Sequence, residues 1–207
     1  MMSTSHVLAF AALSLVLIVI PGPSVLFTIG RALTVGRREA LLTVVGNATG
    51  AYLQVVAVAF GVGVIVERSA AAFTAIKLAG AAYLVYLGVQ AIRHRRKVTE
   101  ALVESAPRIG PARALRAGVV VGVTNPKTIV FLVVVLPQFT DGSLQMLVLG
   151  TLFPVIAVLC DSVWAFVAGT ARTWFARSPR RLRMIGGTGG LMMIGLGASL
   201  ALTNRKD

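Results

Sequence analysis

The sequence predicts an all-α integral membrane protein of six transmembrane helices, built as two inverted three-helix repeats with spans 1 and 4 broken near the mid-plane. Three observations carry that prediction. Of the 207 residues, 57% are hydrophobic and only 13% charged, and the mean hydropathy of +0.86 is far above that of a soluble domain. Apolar stretches long enough to cross roughly 30 Å of hydrocarbon recur along almost the whole chain. The connections between them alternate between basic and neutral. The gaps are too short for a separate folded domain, so residues 1–207 read as one transmembrane domain.

The apolar spans fall near residues 7–30, 40–66, 70–92, 117–136, 144–171 and 184–203. The first connection carries Arg31, Arg37 and Arg38, and the second, at Glu67 and Arg68, is neutral. The third is the most basic, with Arg93, Arg95, Arg96, Lys97, Arg108, Arg113 and Arg116 against Glu100 and Glu104. The fourth has Asp141 and no base, and the fifth carries Arg172, Arg177, Arg180, Arg181 and Arg183. Positive charge on cytoplasmic loops then puts the first, third and fifth connections in the cytoplasm and both termini outside. Arg205 and Lys206 at the C-terminus pull weakly the other way. The expected location is a membrane, multi-pass, with the basic connections on its cytoplasmic side.

The formal net charge of +13 does not read as a nucleic-acid surface, because the arginines sit in short clusters between spans with no aromatic-rich basic face. A single cysteine, Cys160, excludes an intramolecular disulfide and any multi-cysteine metal motif. The N-terminus has no base before its apolar run and no small-residue cleavage pattern, so no cleaved signal peptide is expected.

Aligning Pro23 on Pro126 sets Gly22 to Phe27 (GPSVLF) over Asn125 to Val130 (NPKTIV), about half the chain apart. Each half then holds three spans, the first of them interrupted by a helix breaker. Three is odd, so the halves insert with opposite orientation, the architecture of many secondary transporters. A proline inside a helix removes one amide donor and disturbs the carbonyl one turn earlier. Such groups survive in hydrocarbon only where protein or water satisfies them, which turns Pro21-Gly22-Pro23 and Asn125-Pro126 toward the bundle interior. Freed carbonyls and helix ends there suit the charged ends of a small zwitterion.

Asp161 is the only acidic residue well inside a span, where a charge costs about 2.5 to 3.5 kcal/mol to insert. Lys127, one residue past Pro126, is the nearest base by depth, and a direct pair with Asp161 is the simplest structural expectation. The functional alternative makes Asp161 a proton carrier, because desolvation and a nearby ammonium act in opposite senses on a carboxyl's hold on its proton. Lys77, a third of the way along span 3, is expected to snorkel to the surface, or else to add positive charge to an outer vestibule. On span 2, Asn47, Gly50 and Gln54 share one helix face, which either contacts substrate or bonds to neighbouring helices. The glycine pairs 46/50, 118/122 and 186/190 permit close helix contact, within one bundle more often than in a homodimer. No catalytic set, nucleotide motif or metal-ligand cluster occurs, so no enzyme, metal or cofactor is expected.

Several of these stretches, PGPSVLF in span 1, GRREALLTVVGNATG from Gly36 to Gly50, IKLAGAAYLVYLG from Ile76 to Gly88 and GVTNPKTIVFLVVVLPQF from Gly122 to Phe139, stand in one order and spacing. In that order they resemble the LysE/RhtB family of bacterial amino-acid exporters, over nearly the whole chain. The resemblance implies a six-span exporter of an amino acid or related metabolite, driven by the proton gradient. It also implies a transport path at Pro21, Gly22, Pro23, Asn125, Pro126 and Lys127, with Gly46 and Gly50 as close-packing positions. The family often has Asp or Asn directly after PGP, whereas this chain has Ser24. A serine carries no charge, which argues against a strongly cationic substrate and for a neutral amino acid or derivative.

The expected site is therefore Pro21, Gly22, Pro23, Ser24, Asn47, Gly50, Gln54, Asn125, Pro126 and Lys127 for substrate, with Asp161 for proton coupling. The expected partners are a small-molecule substrate and the lipid bilayer, with monomer and homodimer both left open. The alternatives are an exporter of another small solute (a drug-like compound, peptide or cation) and a non-transporting membrane subunit.

Overall fold

The computed structural model describes residues 3–61, 69–103, 110–171, 174 and 178–202, and the described chain is helical with no strands. Nine α-helices follow in order among these residues: α1 (Thr4–Val19), α2 (Pro23–Thr34), α3 (Arg37–Phe60), α4 (Ala70–Val103), α5 (Pro111–Val123), α6 (Pro126–Val135), α7 (Ser143–Gly150), α8 (Leu152–Thr170) and α9 (Pro179–Leu202). A 3-10 turn, Leu136–Phe139, extends α6. Four stretches are each long and apolar enough to cross a membrane: Arg37–Phe60, Ala71–His94, Ser143–Thr170 and Arg183–Leu202. The other two are bent pairs, α1 with α2 at 52° and α5 with the α6 segment at 49°, and taking each as one crossing gives six spans.

Both bends sit where proline predicts. Pro23 and Pro126 each open the second half of a bent pair at the first helical position, where the missing N–H removes nothing the helix would use. At about 1.5 Å per residue, α1 and α2 reach roughly 24 and 18 Å from the first break, so the break lies near mid-span. Pro154 takes the usual donor from Gly150, dividing α7 from α8, yet that span stays one long crossing.

The packing is reciprocal between halves. Span 2 (α3) packs along α5 of span 4, span 5 (α8) packs along α1 and α2 of span 1, and spans 3 and 6 (α4 and α9) lie against each other. The α3–α5 crossing is close because both sides are glycine. A Cβ on Gly46 or Gly50 would collide with α5 backbone, and one on Gly118 or Gly122 with the backbone of Thr43 and Asn47. Gly190 meets the Gly88 carbonyl of α4 in the same way. These glycines serve packing within one chain. A tight turn joins α2 to α3: the amides of Val35 and Gly36 both donate to Arg31 O, and Gly36 takes φ +132°, a conformation that favours glycine.

Two apolar clusters lie on opposite sides of the breaks. The larger includes Phe10, Leu17, Val55, Phe131, Leu136, Met146 and Phe153, with the Phe131 and Phe153 rings 5.5 Å apart. The smaller joins Val25, Ile29 and Leu33 of α2 to Ala40, Ala165 and Ala168. Dispersion and tight packing, rather than water release, hold such clusters in lipid.

The described helices overrun two expected spans. α4 continues to Val103, past the predicted end at 92, and α5 starts at Pro111, so Arg113 and Arg116 belong to a helix and not to a loop. Lys77 does not snorkel; it is buried. Glu67, Arg68, Glu104, Arg108, Arg172, Arg177, Arg205 and Lys206 lie outside the described residues.

Candidate functional site

Between the two apolar clusters, the breaks meet. Gly22 and Asn125 are the N-caps of α2 and α6, and the Asn125 amide donates to Ser24 Oγ at 3.2 Å, so the starts of both helices touch. Asn125 Oδ1 also accepts the backbone amide of Lys127 at 3.2 Å, an ordinary asparagine cap. The positive ends of two helix dipoles thus converge on one place.

Each break is completed by a side chain from the opposite half. Pro21 has no amide hydrogen, which leaves Leu17 O, four residues earlier, without its helical donor. Lys127 Nζ donates to that carbonyl at 2.8 Å and to Ile20 O at 2.8 Å. Pro126 takes the helical donor from Gly122 O, which receives the Asn125 amide only at 3.4 Å, and Gln54 Nε2 donates to it at 2.7 Å, to Val123 O at 2.9 Å and to Asn125 O at 3.4 Å. An unsatisfied backbone group in hydrocarbon costs several kcal/mol, so both caps matter to the fold. The close α3–α5 crossing is what brings Gln54 within reach.

Beside the caps lies a cavity of about 20 Å³, lined by Ile18, Ser24, Asn47, Ala51, Asn125, Lys127, Thr128, Phe153, Ala157 and Asp161, every one of them buried. It has room for about one water molecule, so any larger solute enters only if the walls move. Asn47 Nδ2 donates to Asp161 Oδ2 at 3.1 Å. Asn47 Oδ1 and Asp161 Oδ1 are buried and have no hydrogen-bond partner. Two of the three Lys127 ammonium donors go to carbonyls, which leaves one for the cavity.

The sequence expectations divide accordingly. Ser24, Asn47, Asn125, Lys127 and Asp161 come together at the cavity. Pro21, Gly22, Pro23 and Pro126 shape the breaks, Gly50 packs against α5, and Gln54 caps a carbonyl; none of these six lines the cavity. The direct Lys127–Asp161 pair does not form: Lys127 bonds to span 1 carbonyls and Asp161 to Asn47, although both face one space. The physical reason is that proline-freed carbonyls at the end of a helix are strong acceptors close to the lysine. Phe153 and Ala157 were missed. Their spacing of eight and four residues before Asp161 puts all three on one helix face, a signal the sequence did hold. Ile18, Ala51 and Thr128 were also missed, and as small or apolar residues in apolar helices Ile18 and Ala51 give no signal of their own. Among the described residues no cluster of His, Cys, Asp or Glu fit for a metal occurs.

The family model described as LysE type translocator matches residues 15–204. The chain belongs to the LysE-type translocator family. Translocators of this kind are membrane transporters rather than a class of enzymes. The chain is 36% identical to an uncharacterised membrane protein of Vibrio cholerae, over 94% of this chain and 95% of that protein. It is 30% identical to the homoserine/homoserine lactone efflux protein of Salmonella typhimurium, over 93% of this chain and 94% of that one. No solved structure matches this LysE-type translocator.

Proposed function

We propose that this translocator exports a neutral amino acid or a close derivative from the cytoplasm by proton antiport with alternating access. The observation that carries the reading is the division of charge around one buried cavity. The cavity is lined by Lys127, with a spare donor beside the starts of α2 and α6, and by Asp161 and Asn47, with unpartnered oxygens. An α-carboxylate matches the first set and an α-ammonium the second. Asp161 is the only acid lining the cavity, so a second positive charge on a substrate side chain finds no partner there. Ile18, Ala51, Phe153 and Ala157 offer small and apolar surface instead. The homoserine/homoserine lactone efflux relatives support the same substrate class.

Coupling follows from competition. A proton on Asp161 and the ammonium of a bound substrate want the same oxygens, so each displaces the other. Substrate entering from the cytoplasm releases the proton there, and a proton arriving from outside releases the substrate outward, which is antiport of the sign that export needs. This reading sets the protein in a bacterial cytoplasmic membrane with both termini outside.

Growth on inhibitory amino acids tests the substrate class. Overexpression should protect cells against homoserine and neutral threonine analogues and give no protection against a lysine analogue. Protection against the lysine analogue alone, or against no amino acid, would sink the proposal.

A further inference from the structure

Lys127 stands in an unfavourable place for its own helix. It is the second residue of α6, in the first turn, where the dipole and the unpaired amides disfavour a cation. Its ammonium reaches across to the other half of the protein and donates to Leu17 O and Ile20 O, both at 2.8 Å. These carbonyls end α1, the negative end of that dipole, and Pro21 has removed the usual donor of one of them. The lysine stem lies along Gly22, where a Cβ would come within 3.3 Å of both Cδ and Nζ. The second break differs: the carbonyls of Gly122 and Val123 before it receive the neutral amide of Gln54. The first break is thus capped by an ammonium and the second by a neutral amide.

We infer that the carbonyls of Leu17 and Ile20 form a site for a monovalent cation, and that Lys127 is its tethered occupant. The site belongs to the first half and the tether to the second. Any movement of α6 against α1 must therefore break two charge-assisted hydrogen bonds, so the ammonium latches the two breaks together in the closed arrangement. A covalently held cation also spares the protein a soluble one at this position. Asp161 is the one acidic group on the same cavity, and its oxygens go to Asn47 and the cavity rather than to Lys127.

Labelled methylammonium, which has the size and donors of a lysine side-chain end, tests the site without reference to transport. Purified Lys127→Ala should bind it stoichiometrically. Wild type, with its own ammonium in place, and Lys127→Met, which fills the space without donors, should bind none above background. The double variant Lys127→Ala/Asp161→Asn should keep the binding, which separates the carbonyl site from the carboxylate. Methylammonium should raise the melting temperature of Lys127→Ala, and tetramethylammonium, with no N–H, should not. No binding to Lys127→Ala beyond wild type, or its loss in the double variant, overturns the inference.

Where Lys127→Ala does not accumulate, Lys127→Met decides: its folding equilibrium should fall by about tenfold or more, and a wild-type melting temperature overturns the site. The latch rests on the transporter reading and has its own arm. In proteoliposomes, exchange of labelled homoserine by wild type should ignore methylammonium, and exchange by Lys127→Ala should rise with it. Wild-type exchange by Lys127→Ala without methylammonium overturns the latch. Silence of the wild type toward homoserine counts against the proposed substrate and leaves the methylammonium binding result standing.

Discussion

Gln54 Nε2 lies 2.7 Å from the carbonyl of Gly122, the acceptor that Pro126 deprives of its helical donor. The amide sits on span 2 and the carbonyl on span 4, so a defect in the second half is completed by the first. The converse holds at span 1, where Lys127 completes the break made by Pro21. Proline breaks in both halves are tolerated because each is capped from across the repeat.

Removing that cap should cost stability. Gln54→Leu leaves buried carbonyls at Gly122 and Val123 without their side-chain donor, a loss of about 1 to 3 kcal/mol. Thr49→Val, at an exposed hydroxyl bonded within its own helix to Val45 O, should change stability by no more than about 0.5 kcal/mol. Melting in detergent compares the two, and equal melting temperatures would remove Gln54 from the account.

The α3–α5 crossing makes a steric prediction. Gly118→Val should prevent accumulation of folded protein, since even a Cβ there meets the Thr43 carbonyl and the Gly46 backbone. Gly195→Ala, in α9 with open space around the new Cβ, should be tolerated and stabilise by about 0.5 to 1 kcal/mol. Monodispersity and yield after purification report both.

How much of this was legible in the sequence depended on whether a signal was local. The spans, their breaks and the interior placement of Asp161 follow from hydropathy and proline alone. The partner of Lys127 does not. Depth suggested Asp161, whereas the lysine chose carbonyls on span 1, and that choice is set by how two helices distant in sequence cross. Gln54 shows the same limit: its polar face was visible on span 2, but only the glycine-lined contact with α5 decides that it caps backbone instead of lining the cavity. Phe153 and Ala157 were readable by counting back from Asp161.

Asn47 should tune substrate affinity. Its Nδ2 is the side-chain donor to Asp161, and its Oδ1 is an unpartnered acceptor at the cavity. Asn47→Ala should raise the KM for exchange about tenfold, as expected for loss of about 1.4 kcal/mol of binding. Val45→Ala, on the exposed side of the same helix, should leave KM unchanged. Equal KM values for both variants would place Asn47 outside the substrate's reach.

The central claim is that proton and substrate compete for Asp161. In proteoliposomes with an imposed pH gradient, wild type should accumulate labelled homoserine against its concentration gradient. Asp161→Asn should lose gradient-driven accumulation while its exchange of homoserine across equal pH no longer changes with pH. Full gradient-driven accumulation by Asp161→Asn would contradict the account.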